Sequence, residues 1–183
     1  MIILVFGSQG SGKTLFLVKE SLSAYHRGET VYSNFNLKIP HKILHFDDII
    51  NTRLERCTCI IDEAHIWGGL NARQSMSKRN IEITNNFVSQ CRKKDVLLLC
   101  STQLPRNLDV KLRENASYYI FCSKKVWKGN SWVEAIEGCD YEKSPIVITL
   151  EVLHLATEKC VTVRFSGNEF FGLYDTTEII RTQ

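Results

Sequence analysis

Apolar runs of strand length alternate with segments of helical pattern along the first two thirds of the chain. Most of the runs are apolar at nearly every position, which is typical of parallel strands buried on both faces of a sheet. We expect strands at 2–6, 30–33, 57–61, 96–100 and 118–123, and helices at 13–27, 46–54, 81–93 and 108–115. Strands that alternate with helices in this way predict an α/β fold, with a mainly parallel central sheet flanked by helices.

The pattern changes after residue 123. The segment 125–133 has the polar centre of a β-hairpin at Lys128-Gly-Asn130. The segments 147–155 and 160–165 alternate apolar and polar residues and are joined by a tight polar turn. Together these features predict a C-terminal antiparallel β elaboration.

The chain has the length and composition of one soluble domain. It has 183 residues, of which 44% are hydrophobic and 23% charged, and it contains no linker or low-complexity tract. We therefore expect a single domain over 1–183, with a core over 1–122 and the β-rich elaboration over 123–183. The sequence has no apolar run long enough to span a bilayer and no cleavable leader, so we expect a cytoplasmic protein.

Charge and cysteine content bear on whether the chain binds nucleic acid, zinc or a disulfide partner. The formal net charge of +3 is too small to indicate nucleic-acid binding by itself, so any such argument has to be local. Three of the seven cysteines, Cys59, Cys100 and Cys122, lie within apolar runs, where a cysteine acts as a small hydrophobic residue. Cys57 and Cys59 have no partner pair at zinc-ligand spacing. We expect reduced, structural thiols.

A glycine-rich loop follows the first expected strand and opens the first expected helix. The loop consists of Gly7, Ser8, Gln9, Gly10, Ser11, Gly12, Lys13 and Thr14. It matches the Walker A pattern at every fixed position, and both flanking elements are of the required kind. Its glycines let backbone N–H groups surround a phosphate at a helix N-terminus. We expect ATP here, with Lys13 bridging the β- and γ-phosphates and the Thr14 hydroxyl binding Mg²⁺.

A pair of acids, Asp62 and Glu63, follows the apolar run 57–61. Ligands bind at the carboxyl ends of the strands in open α/β sheets. We interpret the pair as Walker B, in which Asp62 holds the Mg²⁺ shell and Glu63 polarises the attacking water. An acid directly after Asp62 favours water as the acceptor over a metabolite hydroxyl. Gln103 ends the next strand in the context Ser101-Thr-Gln103, where it is a candidate sensor of the γ-phosphate.

Several short motifs resemble one group of ATPases. Arg92-Lys93 before an apolar strand, Thr102-Gln-Leu-Pro105 after it and Leu112-Arg-Glu-Asn115 have the layout of the FtsK–HerA group of DNA-pumping ATPases. Val31-Tyr-Ser-Asn-Phe35 and Ile61-Asp-Glu-Ala-His65 resemble zonula occludens toxin-like ATPases of phages and archaeal viruses more closely still. The resemblance covers the first 122 residues and implies a P-loop NTPase fold of the RecA or additional-strand type.

The resemblance implies a DNA translocase that works as a closed homo-oligomeric ring, a hexamer or pentamer, around double-stranded DNA of any sequence. It also implies an arginine finger that acts on a neighbouring subunit, which falls on Arg92, with Arg113 as the alternative. A solvated cation at the end of a helix explains Arg92 equally well. Toxin-like members from filamentous phages carry a membrane-spanning segment, which this sequence lacks. The expectation therefore moves to viral genome packaging, with a capsid or portal-vertex protein as a further partner.

A basic stretch at 71–79 is the candidate DNA contact. It contains Arg73, Lys78 and Arg79 among small polar residues and has no acid. Such groups hold phosphates without reading sequence, although a solvated surface loop is the ordinary alternative. The lysines around the hairpin form a weaker second patch, and Trp127 and Trp132 are either a subunit contact or a small satellite core.

Other functions also place Walker A at the start of a chain of this length. A small-molecule or nucleotide kinase would need an arginine-rich lid and an acceptor pocket, and the Asp62-Glu63 pair argues against it. A viral morphogenesis or assembly ATPase would use nucleotide as a structural switch. A GTPase is disfavoured because the sequence has no Asn/Thr-Lys-x-Asp guanine motif.

Overall fold

The strands of the described part of the chain belong to one β-sheet. The computed structural model describes residues 1–51, 53–67, 78–128, 130–134 and 144–175. The nine strands of this part are β1 (Ile2–Phe6), β2 (Thr30–Ser33), β3 (Lys42–Ile43), β4 (Cys57–Ile61), β5 (Val96–Thr102), β6 (Tyr118–Lys128), β7 (Ser131–Glu134), β8 (Ile146–His154) and β9 (Lys159–Ser166).

The strand order confirms the additional-strand type of P-loop fold. The sheet runs β3-β2-β4-β5-β1-β6-β8-β9, and β7 pairs with β6. β5 is therefore inserted between β1, which leads into the glycine-rich loop, and β4, which leads into Asp62 and Glu63. The pairings from β3 across to β6 are parallel, as the continuously apolar runs predicted.

The C-terminal strands are antiparallel, which confirms the predicted change of pattern. β8 pairs with β6, β9 pairs with β8, and β6 and β7 form the predicted hairpin. β6 was expected to end at residue 123 but continues to Lys128. Its parallel pairing with β1 stops at Phe121, whereas its pairing with β8 extends to Val126. The backbone groups beyond residue 123 therefore still have hydrogen-bond partners.

Each predicted helix is present: α1 (Lys13–His26), α2 (Phe46–Asn51), α3 (Lys78–Gln90) and α4 (Val110–Glu114). α3 ends before the predicted residue 93, because Val96 N–H donates to Cys91 O at 2.9 Å and Asp95 takes a left-handed φ of 54°. The sequence pattern missed β3 and three 3₁₀ turns, Ala64–Ile66, Pro105–Asn107 and Asn168–Leu173, since segments so short carry no recognisable period. None of the helices in the described ranges is long and apolar enough to cross a membrane.

Neighbouring residues of β1 face two different apolar clusters. Leu4 and Phe6 lie in the cluster that contains α3 and α4 residues, whereas Val5 lies in the cluster that contains the apolar face of α1. Both faces of the sheet are therefore covered, which explains why β1 is apolar at every position. The cluster around α1 also contains Ile148 and Leu150 of β8, so the elaboration packs into the same core as the first 122 residues.

Three thiols have the environment that their sequence context predicted. Cys59, Cys100 and Cys122 are all buried, and burial raises the pKa of the Cys122 thiol to about 12. A thiol with so high a pKa stays protonated at neutral pH and is a poor nucleophile. Cys122 is therefore a packing residue.

The segment after β9 returns to the N-terminal half of the chain. Leu173 O accepts a hydrogen bond of 2.7 Å from Lys38 N–H, and Tyr174 forms an antiparallel bridge with Leu37. Lys19 Nζ of α1 lies 5.7 Å from the ring centre of Phe165 in β9. These contacts join the last described residues to the loop after β2, and β9 to α1.

Candidate active site

The glycine-rich loop lies at the carboxyl edge of the sheet, between the end of β1 and the start of α1. Gly12 is the N-cap residue of α1 and has a left-handed φ of 97°, a conformation that strains any residue with a side chain. A Cβ atom at this position would also lie 2.5 Å from Ile148 Cδ1 of β8. The backbone conformation therefore favours glycine at position 12, and a side chain there would have to displace Ile148.

Lys13 is buried within the loop. The residue is only 5% exposed, and its Nζ donates to the carbonyl oxygens of Gly7 and Ser8, at 3.0 Å each. The loop thus places an ammonium group at the N-terminus of α1, where the helix dipole also favours an anion. The Ser11 hydroxyl is buried and has no hydrogen-bond partner among the described residues. This environment fits a bound phosphate.

Thr14 and Asp62 bring the two halves of the predicted site into contact. Thr14 Oγ1 donates to Asp62 Oδ2 at 2.7 Å across a sequence separation of 48 residues. Asp62 is 5% exposed, and its other oxygen, Oδ1, accepts a hydrogen bond from Ser101 Oγ of β5. A hydroxyl beside a carboxylate provides the hard oxygen donors that Mg²⁺ prefers. The residues present therefore fit the expected ion.

Asn34 holds the backbone of Asp62, and sequence reasoning did not identify it as a site residue. Its Oδ1 accepts from Asp62 N–H and its Nδ2 donates to Asp62 O, both at 2.8 Å. The side chain thereby continues the pairing of β2 with β4 beyond the end of the strands. The sequence feature that could have identified Asn34 is its position directly after β2, where a polar residue lies at the carboxyl edge of the sheet.

Glu63 has a strained backbone and a carboxylate oxygen that accepts no hydrogen bond from the described residues. Its φ and ψ are both 48°, in the left-handed region, which is uncommon for a residue other than glycine. Its N–H has two acceptors, Ser101 Oγ at 3.1 Å and Asp62 Oδ1 at 3.2 Å. Glu63 Oε2 is buried without a hydrogen-bond partner among the described residues. Burial, and then the charge of Asp62, raise the pKa of Glu63.

A tyrosine from the C-terminal segment also lies near this edge of the sheet. Burial, and then the charge of Asp62, raise the pKa of Tyr174 to about 12. The bridge between Tyr174 and Leu37 carries the tyrosine to the loop that contains Asn34. Sequence reasoning recognised nothing in this segment, because a single tyrosine outside a periodic element carries no signal.

The remaining candidates lie at different edges of the sheet. Gln103 directly follows Thr102, the last residue of β5, and is exposed at the edge that carries the glycine-rich loop. Arg92 precedes β5 and lines a groove of about 560 Å³ with Met1 and Asn115, at the opposite edge. The seven residues of β5 separate the two edges by about 20 Å at about 3.3 Å per residue. Arg92 is therefore not part of its own chain's site.

Arg113, the alternative finger, lies in the described part of the chain, whereas the side chains of the DNA candidates do not. Arg113 lies on α4, is half-buried, and has its Nε buried without a hydrogen-bond partner in the described ranges. Its carbonyl oxygen accepts from the Tyr119 hydroxyl at 3.3 Å. Arg73 lies outside the described residues, and Lys78 and Arg79 begin α3 with side chains that are not described.

Comparison with solved structures identifies the fold. The chain is similar to the N-terminal domain of zonular occludens toxin from Neisseria meningitidis, with a TM-score of 0.56 and 20% identity over 95% of this chain and 98% of that one. It is similar to the genome packaging NTPase B204 from Sulfolobus turreted icosahedral virus 2, in complex with ATP-gammaS, with a TM-score of 0.54 and 13% identity over 88% of this chain and 95% of that one. The chain has a P-loop NTPase fold.

A third similar structure is the ATPase domain of G40P, with a TM-score of 0.53 and 11% identity over 97% of this chain and 84% of that one. No protein-family model and no curated protein matches the sequence. The expected likeness to zonula occludens toxin-like and viral packaging ATPases is thus confirmed at the level of the fold. What the P-loop fold does in this chain depends on the residues of its site.

Proposed function

We propose that this chain hydrolyses ATP with the help of Mg²⁺ and uses the reaction to move double-stranded DNA, as a motor that packages a viral genome. The observation that carries the catalytic part is the 2.7 Å hydrogen bond between Thr14 and Asp62, which joins the phosphate loop and the acidic strand end in one site. Glu63 follows directly and supplies a carboxylate that can activate water.

Each residue of the site has its own role in this proposal. The backbone N–H groups of the loop and Lys13 bind the β- and γ-phosphates, and Thr14 and Asp62 hold the Mg²⁺ ion, which neutralises phosphate charge when bound. Glu63 is the base that takes a proton from the attacking water, because both oxygens of Asp62 already accept hydrogen bonds. Gln103, exposed directly after β5, contacts the γ-phosphate.

The motor part of the proposal has two supports. The fold is shared with a structure described as a genome packaging NTPase. Arg92 lies at the sheet edge opposite its own glycine-rich loop, so in a closed hexameric or pentameric ring it would act on a neighbour's nucleotide. We further propose that 1–183 is one domain, that it works in the host cytoplasm, and that a capsid or portal-vertex protein is its partner.

Two substitutions test the site. Glu63→Gln keeps the shape of the side chain and removes its charge, so it should abolish most ATP hydrolysis while ATP and Mg²⁺ still bind. Lys13→Ala should lose nucleotide binding itself. Phosphate release and fluorescent-nucleotide titration measure the two properties separately. Hydrolysis by Glu63→Gln near the wild-type rate would remove Glu63 from the role of base.

Turnover with and without duplex DNA tests the motor. Hydrolysis should rise with duplexes of unrelated sequence and fall steeply with salt, because the contacts are made to phosphates. Replacing Arg73, Lys78 and Arg79 together should weaken the stimulation and leave basal turnover unchanged. Hydrolysis that ignores DNA would favour an assembly ATPase, and phosphoryl transfer to a small hydroxyl compound with little release of phosphate would favour a kinase.

A further inference from the structure

His65 lies between the acidic end of β4 and the end of β5. It belongs to the 3₁₀ turn Ala64–Ile66. Its Nδ1 atom is 3.2 Å from Glu63 Oε2 and 3.3 Å from Thr102 Oγ1. The side chains of His65 and Glu63 are 25% and 28% exposed, so the contact is largely shielded from solvent. One ring nitrogen therefore faces both the proposed base and the residue before Gln103.

Glu63 needs a hydrogen-bond donor at this position. Its Oε2 atom is buried and has no hydrogen-bond partner in the part of the chain that the structure describes. An ionised carboxylate that is left without a donor in such a place is costly. His65 Nδ1 lies 3.2 Å from that oxygen, which is within hydrogen-bonding distance. Thr102 is fully buried in β5, so its hydroxyl is a fixed point for the imidazole ring.

We propose that His65 is the positioning residue of Glu63: its Nδ1–H is shared between Glu63 Oε2 and Thr102 Oγ1, both as acceptors, and the contact with buried Thr102 holds the ring in place. The imidazole then keeps the carboxylate in the one orientation in which it can accept a proton from water. It also connects Glu63 to the end of β5, so a displacement at Thr102 and Gln103 on loss of the γ-phosphate reaches the base. The kinetic consequence rests on the proposed ATPase function, whereas the hydrogen bond itself does not.

Three substitutions of His65 that differ in the position of the hydrogen-bond donor test the effect on turnover. Asn carries its amide nitrogen as many bonds from Cα as His carries Nδ1, Gln matches Nε2 instead, and Leu has no donor. His65→Leu should lower kcat about 10- to 100-fold, as expected for losing a hydrogen bond to a charged group, with KM for ATP little changed. His65→Asn should recover most of kcat, and His65→Gln should not.

Two results would overturn the kinetic claim. One is a wild-type kcat in His65→Leu; the other is an equal loss in the Asn and Gln variants. If His65→Leu does not fold, the comparison of Asn with Gln still decides the question. In a Glu63→Gln background, His65→Leu should cause no further loss, because a residue that acts through Glu63 has nothing left to position. A further loss as large as in the wild type would assign His65 a separate role.

A spectroscopic measurement tests the hydrogen bond without catalysis. Long-range ¹H–¹⁵N spectra distinguish the protonation of Nδ1 and Nε2, and His65→Asn assigns the His65 signal among the five histidines of the chain. We expect Nδ1 to be protonated in the wild type, with a ¹⁵N shift that moves in Glu63→Gln. An Nδ1 without a proton, or a signal indifferent to Glu63→Gln, would refute the inference. Absence of ATP hydrolysis by the wild type would refute the proposed function and leave this result standing.

Discussion

At the scale of single residues, two adjacent acids have opposite environments. Asp62 accepts hydrogen bonds from Thr14 and Ser101 with its two carboxylate oxygens, whereas Glu63 Oε2 is buried and accepts no hydrogen bond from the described residues. Burial and the nearby charge of Asp62 raise the pKa of Glu63, and the charges of Lys13 and His65 act in the opposite direction. Acids perturbed in this way are typical of catalytic positions, where stability is lost in favour of activity.

The raised pKa of Glu63 makes a prediction about stability and pH. The unfolded chain binds a proton at the ordinary glutamate pKa of about 4.3, and the folded chain binds one at a higher pH. As pH rises through this window the unfolded state loses its proton first, so the contribution of Glu63 to stability falls and then stays constant. Glu63→Gln should therefore have a higher unfolding midpoint than the wild type at pH 7, with the difference shrinking towards pH 4.

Thermal unfolding without nucleotide or Mg²⁺ measures this effect, and Glu158→Gln is a matched control. Glu158 also has a left-handed φ, of 55°, but it lies in the exposed turn between β8 and β9. The control should change the midpoint little at any pH. A Glu63→Gln variant less stable than the wild type at pH 7 would contradict the assigned environment.

A second prediction at this scale concerns Asn34. Asn34→Asp can still accept from Asp62 N–H but can no longer donate to Asp62 O, and it adds a negative charge beside Asp62. We expect a loss of about 1–3 kcal/mol in the free energy of unfolding, together with a lower kcat, because Glu63 follows Asp62 directly. Urea unfolding and steady-state kinetics check the two effects. Unchanged values in both would show that Asn34 does not hold the turn.

At the scale of elements, β8 packs against the glycine-rich loop. Ile148 is fully buried, and its Cδ1 atom occupies the place where a side chain at Gly12 would lie. The glycine-rich loop, near the start of the chain, therefore packs against the C-terminal elaboration. Ile146 lies on the same strand and face and is 1% exposed. Both isoleucines lie against Gly167, but the atoms nearest to a Cβ at Gly12 all belong to Ile148.

These two isoleucines provide a matched pair. Ile148→Ala and Ile146→Ala each remove a buried side chain, and each should lower the free energy of unfolding by about 2–5 kcal/mol. Only Ile148→Ala should also weaken ATP binding severalfold, because it opens space next to Gly12 at the start of α1. Nucleotide titration at a temperature where both variants are folded makes the comparison. Equal binding by the two variants would mean that β8 does not support the loop.

At the scale of the whole molecule, the two edges of the sheet have different chemistry. The carboxyl edge carries the glycine-rich loop, Asp62 and Glu63, and the amino edge carries Arg92. A single chain cannot bring Arg92 to its own γ-phosphate without disrupting β5. A ring in which the amino edge of one subunit meets the loop of the next would complete the site.

Mixing two inactive variants tests the ring. Arg92→Ala should lose about 10³-fold or more in turnover and still bind nucleotide, and the neighbouring Lys93→Ala is the control that should remain active. Arg92→Ala mixed with Lys13→Ala should recover activity, since a mixed ring contains interfaces where an intact loop meets an intact arginine. Full activity of Arg92→Ala alone would exclude the trans role and move attention to Arg113.

Local signals predicted the elements well and their ends less well. The strand Ile2–Phe6 was predicted to the residue, because its apolar run stops at the glycine-rich loop. α3 ends before its predicted last residue because the chain turns at Asp95, and the sequence gives no sign that a residue other than glycine takes a left-handed conformation there. The 3₁₀ turn Asn168–Leu173 was missed altogether, since it is held by contacts with distant segments and not by a period of its own.

The sequence by itself determined the phosphate loop, the acidic pair and the succession of strands and helices. Each of these depends on residues close together in the chain, through backbone conformation and apolar periodicity. Only the tertiary structure decided that β5 separates β1 from β4, that Asn34 holds Asp62, and that Ile148 lies beneath Gly12. Those contacts join segments far apart in sequence, and they form only once the strands have taken their order in the sheet and its two faces are covered, a condition that no local pattern contains.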